Sequence, residues 1–178
     1  MPPSKREEVA TPDAVWVIDT SSILQVRRQS LKPHERERLY SGLSTLVEGG
    51  GLVFPQQVYD ELKRGSGTFP QETADEPLAW ATNARTIATR HGTDFEAVRK
   101  VLAKVSDVLD VDKTSGADEA DPYVLGLALH LKDGGHEVTV VSEERRDRPA
   151  KMSMATACGL LRLYCVPLLG LVRDQGLG

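Results

Sequence analysis

The sequence predicts a three-layer α/β/α sandwich around a central, mainly parallel sheet of four to five strands, and three observations carry that expectation. Short apolar runs, Ala14 to Ile18, Leu52 to Phe54, Val138 to Val141 and Tyr164 to Val166, suit strands, and the third is continuous enough to be covered on both faces. Longer segments patterned as amphipathic helices separate them, which is the crossover a parallel sheet requires. Acids follow the strands: Asp19 comes directly after Val15-Trp16-Val17-Ile18, Glu61 shortly after Leu52-Val53-Phe54, and Glu143 and Glu144 after Val138-Thr139-Val140-Val141. Beyond the carboxyl ends of parallel strands such residues converge, although they are far apart in sequence.

The elements follow in order. Residues 1 to 13 hold Pro2, Pro3 and Pro12 among charges and read as a loose leader, and a single domain begins at Ala14. Ser21 to Arg28 offers a turn or two of helix. From His34 to Glu48, Leu39, Leu43, Leu46 and Val47 recur at helical spacing until Gly49-Gly50-Gly51 stops the run. Pro55 at N1 opens a helix over Gln56 to Arg64 with Val58 and Leu62 on one face. Gly65 to Pro77 reads as an exposed loop, followed by helices over Leu78 to Arg90 and Thr93 to Leu109, the second with Phe95, Val98, Leu102 and Val105 in register; together, residues 66 to 112 form a helical insert. After a loop at Lys113 to Gly116 comes the clearest helix, with Asp121 as N-cap, Pro122 at N1 and a stripe of Val124, Leu127, Ala128 and Leu131. Gly134-Gly135 ends it. Beyond the third strand lie a charged loop over Glu143 to Arg148, a helix over Ser153 to Leu160, the last strand, and a terminal helix over Leu168 to Arg173. No internal repeat is visible.

Composition narrows the function classes. A chain of 178 residues, 40% hydrophobic, buries a real core and is not disordered. A net charge of −4 does not advertise nucleic-acid binding, so a local basic patch would have to do that work. Cys158 and Cys165 fit neither a zinc site nor a disulfide framework and read as small apolar residues in a reducing compartment. Without an apolar h-region or a membrane-length run, the protein is expected to be soluble and cytoplasmic.

Each acid has a bland reading beside the functional one. Asp19 could simply cap the next helix, yet Thr20, Ser21 and Ser22 could do so equally well, and a carboxylate at the end of a buried strand is poorly placed for chance solvation. Glu61 borders the buried face of its helix, whereas Asp60 lies farther from it. Asp118, Glu119 and Asp121 crowd one helix start; the helix dipole favours acids there, but keeping all three ionised calls for a cation. Asp118 and Asp121 could share a site, with Glu119 pointing elsewhere. Glu143, Glu144 and Asp147 lie among Arg145, Arg146 and Arg148 and could equally form a salt-bridged loop. Oxygen ligands without a His or Cys cluster favour Mg²⁺ or Mn²⁺ over zinc, and such ions act chiefly on phosphoryl oxygens. No second Asp stands two residues after Asp19, as an aspartate-nucleophile phosphatase needs, and no glycine-rich phosphate loop occurs.

With these residues in view, the chain from Val15 to about Leu171 resembles the PIN-domain nucleases, among them the VapC-like toxins of prokaryotic toxin-antitoxin pairs. The resemblance rests on Val17-Ile18-Asp19-Thr20-Ser21-Ser22-Ile23-Leu24, on Val58-Tyr59-Asp60-Glu61-Leu62, on Ala120 to Ala128, and on Val140-Val141-Ser142-Glu143-Glu144. It implies a metal-dependent endoribonuclease in which Asp19, Glu61, Asp121 and Glu144 hold one or two Mg²⁺ or Mn²⁺ ions, with Asp118 and Asp147 as further ligand candidates. It further implies RNA as substrate, a cognate antitoxin as partner and contacts between subunits of a homodimer. Glu144 stands where the family carries Asn or Asp, with Glu143 beside it. On the substrate side, Thr20, Ser21 and Ser142 supply hydroxyls, and Arg145, Arg146, Lys151 and Arg27 or Arg28 supply charge for the RNA backbone. Single-stranded or looped RNA is expected over duplex, because splayed bases can be read. The competing reading is a catalytically weak PIN-like module that binds RNA or protein.

Overall fold

The computed structural model describes residues 10–28, 31–65, 75–113 and 119–177. Four strands, β1 (Ala14–Ile18), β2 (Leu52–Val53), β3 (Glu137–Val141) and β4 (Tyr164–Val166), form an all-parallel sheet in the order β2-β1-β3-β4. The β-branched content of β1 and β3 suits this, and both are buried at alternate and then consecutive positions toward their carboxyl ends. The register places Ile18 opposite Val141 and Val141 opposite Val166, so the chain leaves β1, β3 and β4 at one level.

The described helices are α1 (Thr20–Arg28), α2 (Pro33–Glu48), α3 (Gln56–Gly65), α4 (Glu76–Ala88), α5 (Phe95–Val105), α6 (Asp121–Asp133), α7 (Met154–Leu161) and α8 (Leu168–Gln175), with a short 3-10 turn at Ser106–Val108. α5 packs against α6 and α7, while α1, α2, α3, α4 and α8 form a second contacting group, which leaves the sheet sandwiched between helices. The core runs through Ile18, Ile23, Phe54, Leu125, Val140 and Leu168, all fully buried. Burying a side chain such as Phe54 contributes roughly 2–3 kcal/mol. α5 and α6 approach closely because Gly126 has no side chain: a Cβ there would stand 2.8 Å from Val98 Cγ2 and 3.1 Å from the Val98 backbone nitrogen.

Several local expectations shift. Pro55 lies just before α3 rather than at its N1 position. α4 starts at Glu76, with the Asp75 carboxylate accepting from the Leu78 amide, so Pro77 belongs to the helix and not to the loop. In α5 the buried stripe is Ala97, Val98, Val101 and Val105; Phe95 is the first helical residue and is 72% exposed, because the ring leaves the first turn on its outer side. Asp94 caps that helix through the amides of Glu96 and Ala97. Residues 1–9 of the expected leader, 66–74 of the first loop and 114–116 of the second, with 117–118 after it, lie outside the described residues. No described helix is long and apolar enough to cross a membrane.

Candidate functional site

The sheet order makes β1 the point where the connections diverge: β2 joins it on one side, and β3 on the other. A crevice therefore opens beyond the carboxyl ends of β1 and β3. Asp19 is the first residue out of β1, its backbone N–H donates to Val141 O at 3.0 Å, and it is 2% exposed. Its Oδ1 accepts from Ser21 Oγ at 2.8 Å and from the Ser22 N–H at 3.0 Å. Asp19 thus does cap α1, while its carboxyl group also lines the crevice. The capping role and the functional role coexist.

Glu61 reaches the crevice from α3, whose Val58 and Leu62 are buried in the core. Both of its oxygens are held: Thr20 Oγ1 donates to Oε2 at 2.6 Å, and the Ala120 N–H donates to Oε1 at 2.9 Å. That amide is at the start of α6, where the positive end of the helix dipole favours a carboxylate. α6 begins one residue earlier than its sequence suggests. Ala120 is the N-cap, and Asp121 is the first helical residue. Its carboxylate is therefore not spent on capping but turns inward, where Lys151 Nζ lies 2.5 Å from Oδ2.

Lys151 gathers the other acids. Its ammonium group donates to Glu144 Oε1 at 3.2 Å and lies 3.9 Å from Glu119 Oε2, and the residue is only 7% exposed. Glu119, expected to point elsewhere, joins the cleft, with its other oxygen accepting from the Asp110 N–H at 3.0 Å. Asp118 lies outside the described residues.

Burial dominates the electrostatics. It raises the Asp19 carboxyl to about 6, against the lowering effect of hydrogen bonds from Ser142, Ser21 and the Ser22 amide. It raises Asp121 to about 7; Lys151 opposes this, and Glu144 and Asp19 add to it through like charge. Burial alone would lower Lys151, but Asp121 and Glu144 hold it above the ordinary lysine range, so the ammonium stays charged.

The segment 142–153 sorts the remaining candidates. Glu144 faces the cleft with its N–H bonded to Ser142 Oγ at 3.1 Å, and Ser142 itself is fully buried rather than open to substrate. Glu143 turns to the opposite side, where Oε1 accepts from the Leu168 N–H at 2.6 Å and from Ser22 Oγ at 3.2 Å, which ties α8 and α1 to the end of β3. Asp147 is not at the cleft either: it accepts from the Ser153 N–H at 2.9 Å and fixes the entry to α7. The Arg145 guanidinium donates to Cys165 O at 3.0 Å and does not line the cleft. Arg146 is exposed and lines a neighbouring depression.

The resulting cleft encloses about 760 Å³. Asp19, Glu61, Glu119, Asp121 and Glu144 form its acidic centre, and Arg28, Arg64, Lys113 and Arg148 line it as well, with Thr20 and Ser21 between. Among the described residues no three His, Cys, Asp or Glu side chains are grouped as a ready-made metal site. The donor set nevertheless suits a hard divalent ion: it consists of carboxylate oxygens, and burial disfavours the charge of two of them unless a cation is near. Lys151 and Glu119 are the members that sequence reasoning placed wrongly. In sequence Lys151 follows the run of Arg145, Arg146 and Arg148 with nothing to set it apart; in the structure it is buried beside Met152, Ser153 and Met154, which are buried or half-buried.

A family model described as "Domain of unknown function (DUF4411)" matches residues 16–178, a span that includes every acid of the cleft. No curated protein and no solved structure matches the chain.

Proposed function

The chain belongs to the DUF4411 family, and we propose that it acts as a Mg²⁺- or Mn²⁺-dependent endoribonuclease on single-stranded or looped RNA. The observation that carries this reading is the convergence of Asp19, Glu61, Asp121 and Glu144, from four separate stretches of sequence, on one cleft at the carboxyl ends of β1 and β3. These residues would hold the metal. A divalent ion bound there supplies Lewis-acid activation of a phosphodiester and of water.

The chain's own residues set the stage for that chemistry. Thr20 and the Ala120 amide orient Glu61, and Ser21 and the Ser22 amide orient Asp19, so the two acids reach the cleft without conformational search. Burial keeps bulk water from screening Asp19 and Asp121. Arg28, Arg64, Lys113 and Arg148 stand in the walls of the cleft beside Asp110 and Asp112, and these bases are the groups that would attract a nucleic-acid backbone, more weakly as salt rises. The Arg145 and Arg146 side chains stand outside this wall.

The experiment is cleavage of an end-labelled single strand and of the matching duplex, with Mn²⁺ or with EDTA, by the purified chain and by Asp19→Asn. Metal-dependent cleavage of the single strand that leaves 5′-phosphate ends and is lost in Asp19→Asn supports the reading; equal activity in EDTA overturns it. A toxin role with a cognate antitoxin is the further proposal that the resemblance to VapC-like proteins supports, and growth arrest on expression, relieved by Asp19→Asn, tests it. One observation favours the second reading, a binding module of weak or no activity: Lys151 already neutralises part of the acidic centre. Retention of RNA on a gel without any cleavage would select it.

A further inference from the structure

Lys151 is the unusual member of this cleft. A lysine that is 7% exposed, with its ammonium against Asp121, Glu144 and Glu119, does not face a substrate backbone. Its placement is built into the chain. Arg148 and Lys151 exchange backbone hydrogen bonds of 2.9 and 3.1 Å, the Met152 N–H donates to Asp107 O at 2.6 Å, and the Ser153 N–H is held by Asp147. The backbone on both sides of Lys151 is therefore pinned, and its side chain is aimed at the acids.

We propose that Lys151 is the resident cation of the acidic centre: its ammonium stands in for one divalent ion, so that the chain takes up a single ion where the same carboxylates without Lys151 would take two. The inference rests on the metal-dependent reading above. Asp121, Glu144 and Glu119 converge on the Lys151 ammonium at 2.5, 3.2 and 3.9 Å, so the point on which these three acids are centred is already taken by a cation. A +1 charge placed among buried carboxylates satisfies part of the charge they carry and repels a second divalent ion from the same seat. Asp19 and Glu61 make no bond to Lys151 among those described, and Lys151 meets Asp121 through Oδ2 and Glu144 through Oε1, so Asp19 and Glu61, with the second oxygens of Asp121 and Glu144, remain to hold one incoming ion.

The test is the Mn²⁺ content of the full chain after equilibrium dialysis at one pH, measured by elemental analysis, together with calorimetric titration and thermal unfolding. Wild type is expected to hold one Mn²⁺ per chain and Lys151→Met two, with the tightest step strengthened roughly tenfold. In EDTA, Lys151→Met should melt below wild type, because its acids have lost their counter-charge, and Mn²⁺ should raise its melting temperature more than that of wild type. If the variant does not fold in EDTA, it is purified in Mn²⁺ and the ion count still reads the outcome; a variant that stays unfolded in Mn²⁺ overturns the inference, since the ion then does not replace the ammonium. Two ions in wild type, or equal uptake by both chains, overturns the inference alone. No uptake by either chain overturns the metal reading and the inference together.

Discussion

Thr20 Oγ1 donates to Glu61 Oε2 at 2.6 Å, so the first turn after β1 holds an acid that lies 41 residues further along the chain. A hydroxyl that sequence reasoning assigned to the substrate instead positions an acid. Thr20→Val keeps the shape and removes the donor, which should cost about 1 kcal/mol of stability. RNA cleavage should fall about tenfold, and Mn²⁺ affinity with it, while Thr20→Ser stays near wild type. Unchanged Mn²⁺ affinity in Thr20→Val would show that the hydrogen bond does not position Glu61 for an ion.

Asp19→Asn and Asp121→Asn should each abolish cleavage without loss of fold, but their stabilities should differ. Asp19 carries a buried charge whose described partners are hydroxyls and an amide, so its neutral replacement should hold or raise the melting temperature in EDTA at neutral pH. Asp121 is paired with Lys151 at 2.5 Å, and removing it leaves a buried ammonium with weaker partners, so the gain is offset. Circular dichroism melts beside cleavage assays check both. Activity that survives in the two purified variants would sink the nuclease assignment.

The fourth acid separates by phenotype. Glu144→Gln should reduce cleavage strongly with little change in melting temperature. Glu143→Gln weakens the bonds to the Leu168 amide and Ser22, and Asp147→Asn weakens the anchor on Ser153; each should cost about 1–2 kcal/mol while cleavage falls less. A Glu143→Gln chain that melts like wild type yet is inactive would reverse the assignment.

Stability without metal should fall as pH rises from about 4 toward 8 through these two groups. Burial raises Asp19 to about 6 and Asp121 to about 7, against 3.8 unperturbed, so the folded chain binds protons there that the unfolded chain has released. The stabilisation from each is fully present below the unfolded value and is lost as pH passes the folded one. At about 1.4 kcal/mol per pH unit, this is on the order of 3 kcal/mol for Asp19 and 4 kcal/mol for Asp121. His91 has the opposite sign: burial lowers it to about 4, so its contribution is present above 6.5 and lost as pH falls. Comparing wild type with Asp121→Asn in EDTA cancels His91 and isolates the acid. A wild-type curve parallel to that of the variant across this range would contradict the shift.

The strand positions, the parallel sheet and the three-layer class were legible in the sequence, because apolar periodicity and glycine stops are local properties of the chain. Asp19 was legible for the same reason: a carboxylate directly after a buried strand is visible without any partner. Asp121 was legible as a candidate but not in its role, since one residue of shift at the start of α6 decides whether its side chain caps a helix or enters the cleft. The choice among Glu143, Glu144 and Asp147 follows the alternation of strand geometry past Val141 for the first two, whereas Asp147 depends on where α7 begins. Lys151 and Glu119 could be placed only by tertiary structure. In sequence, Lys151 follows a run of exposed arginines; in the folded chain, the backbone pins at Arg148, Met152 and Ser153 turn it toward the acids. The sequence by itself determined the scaffold and the acids that leave it at strand ends, whereas the fold decided which charges meet, because an ion pair depends on a separation of a few ångströms between groups that the chain order holds far apart.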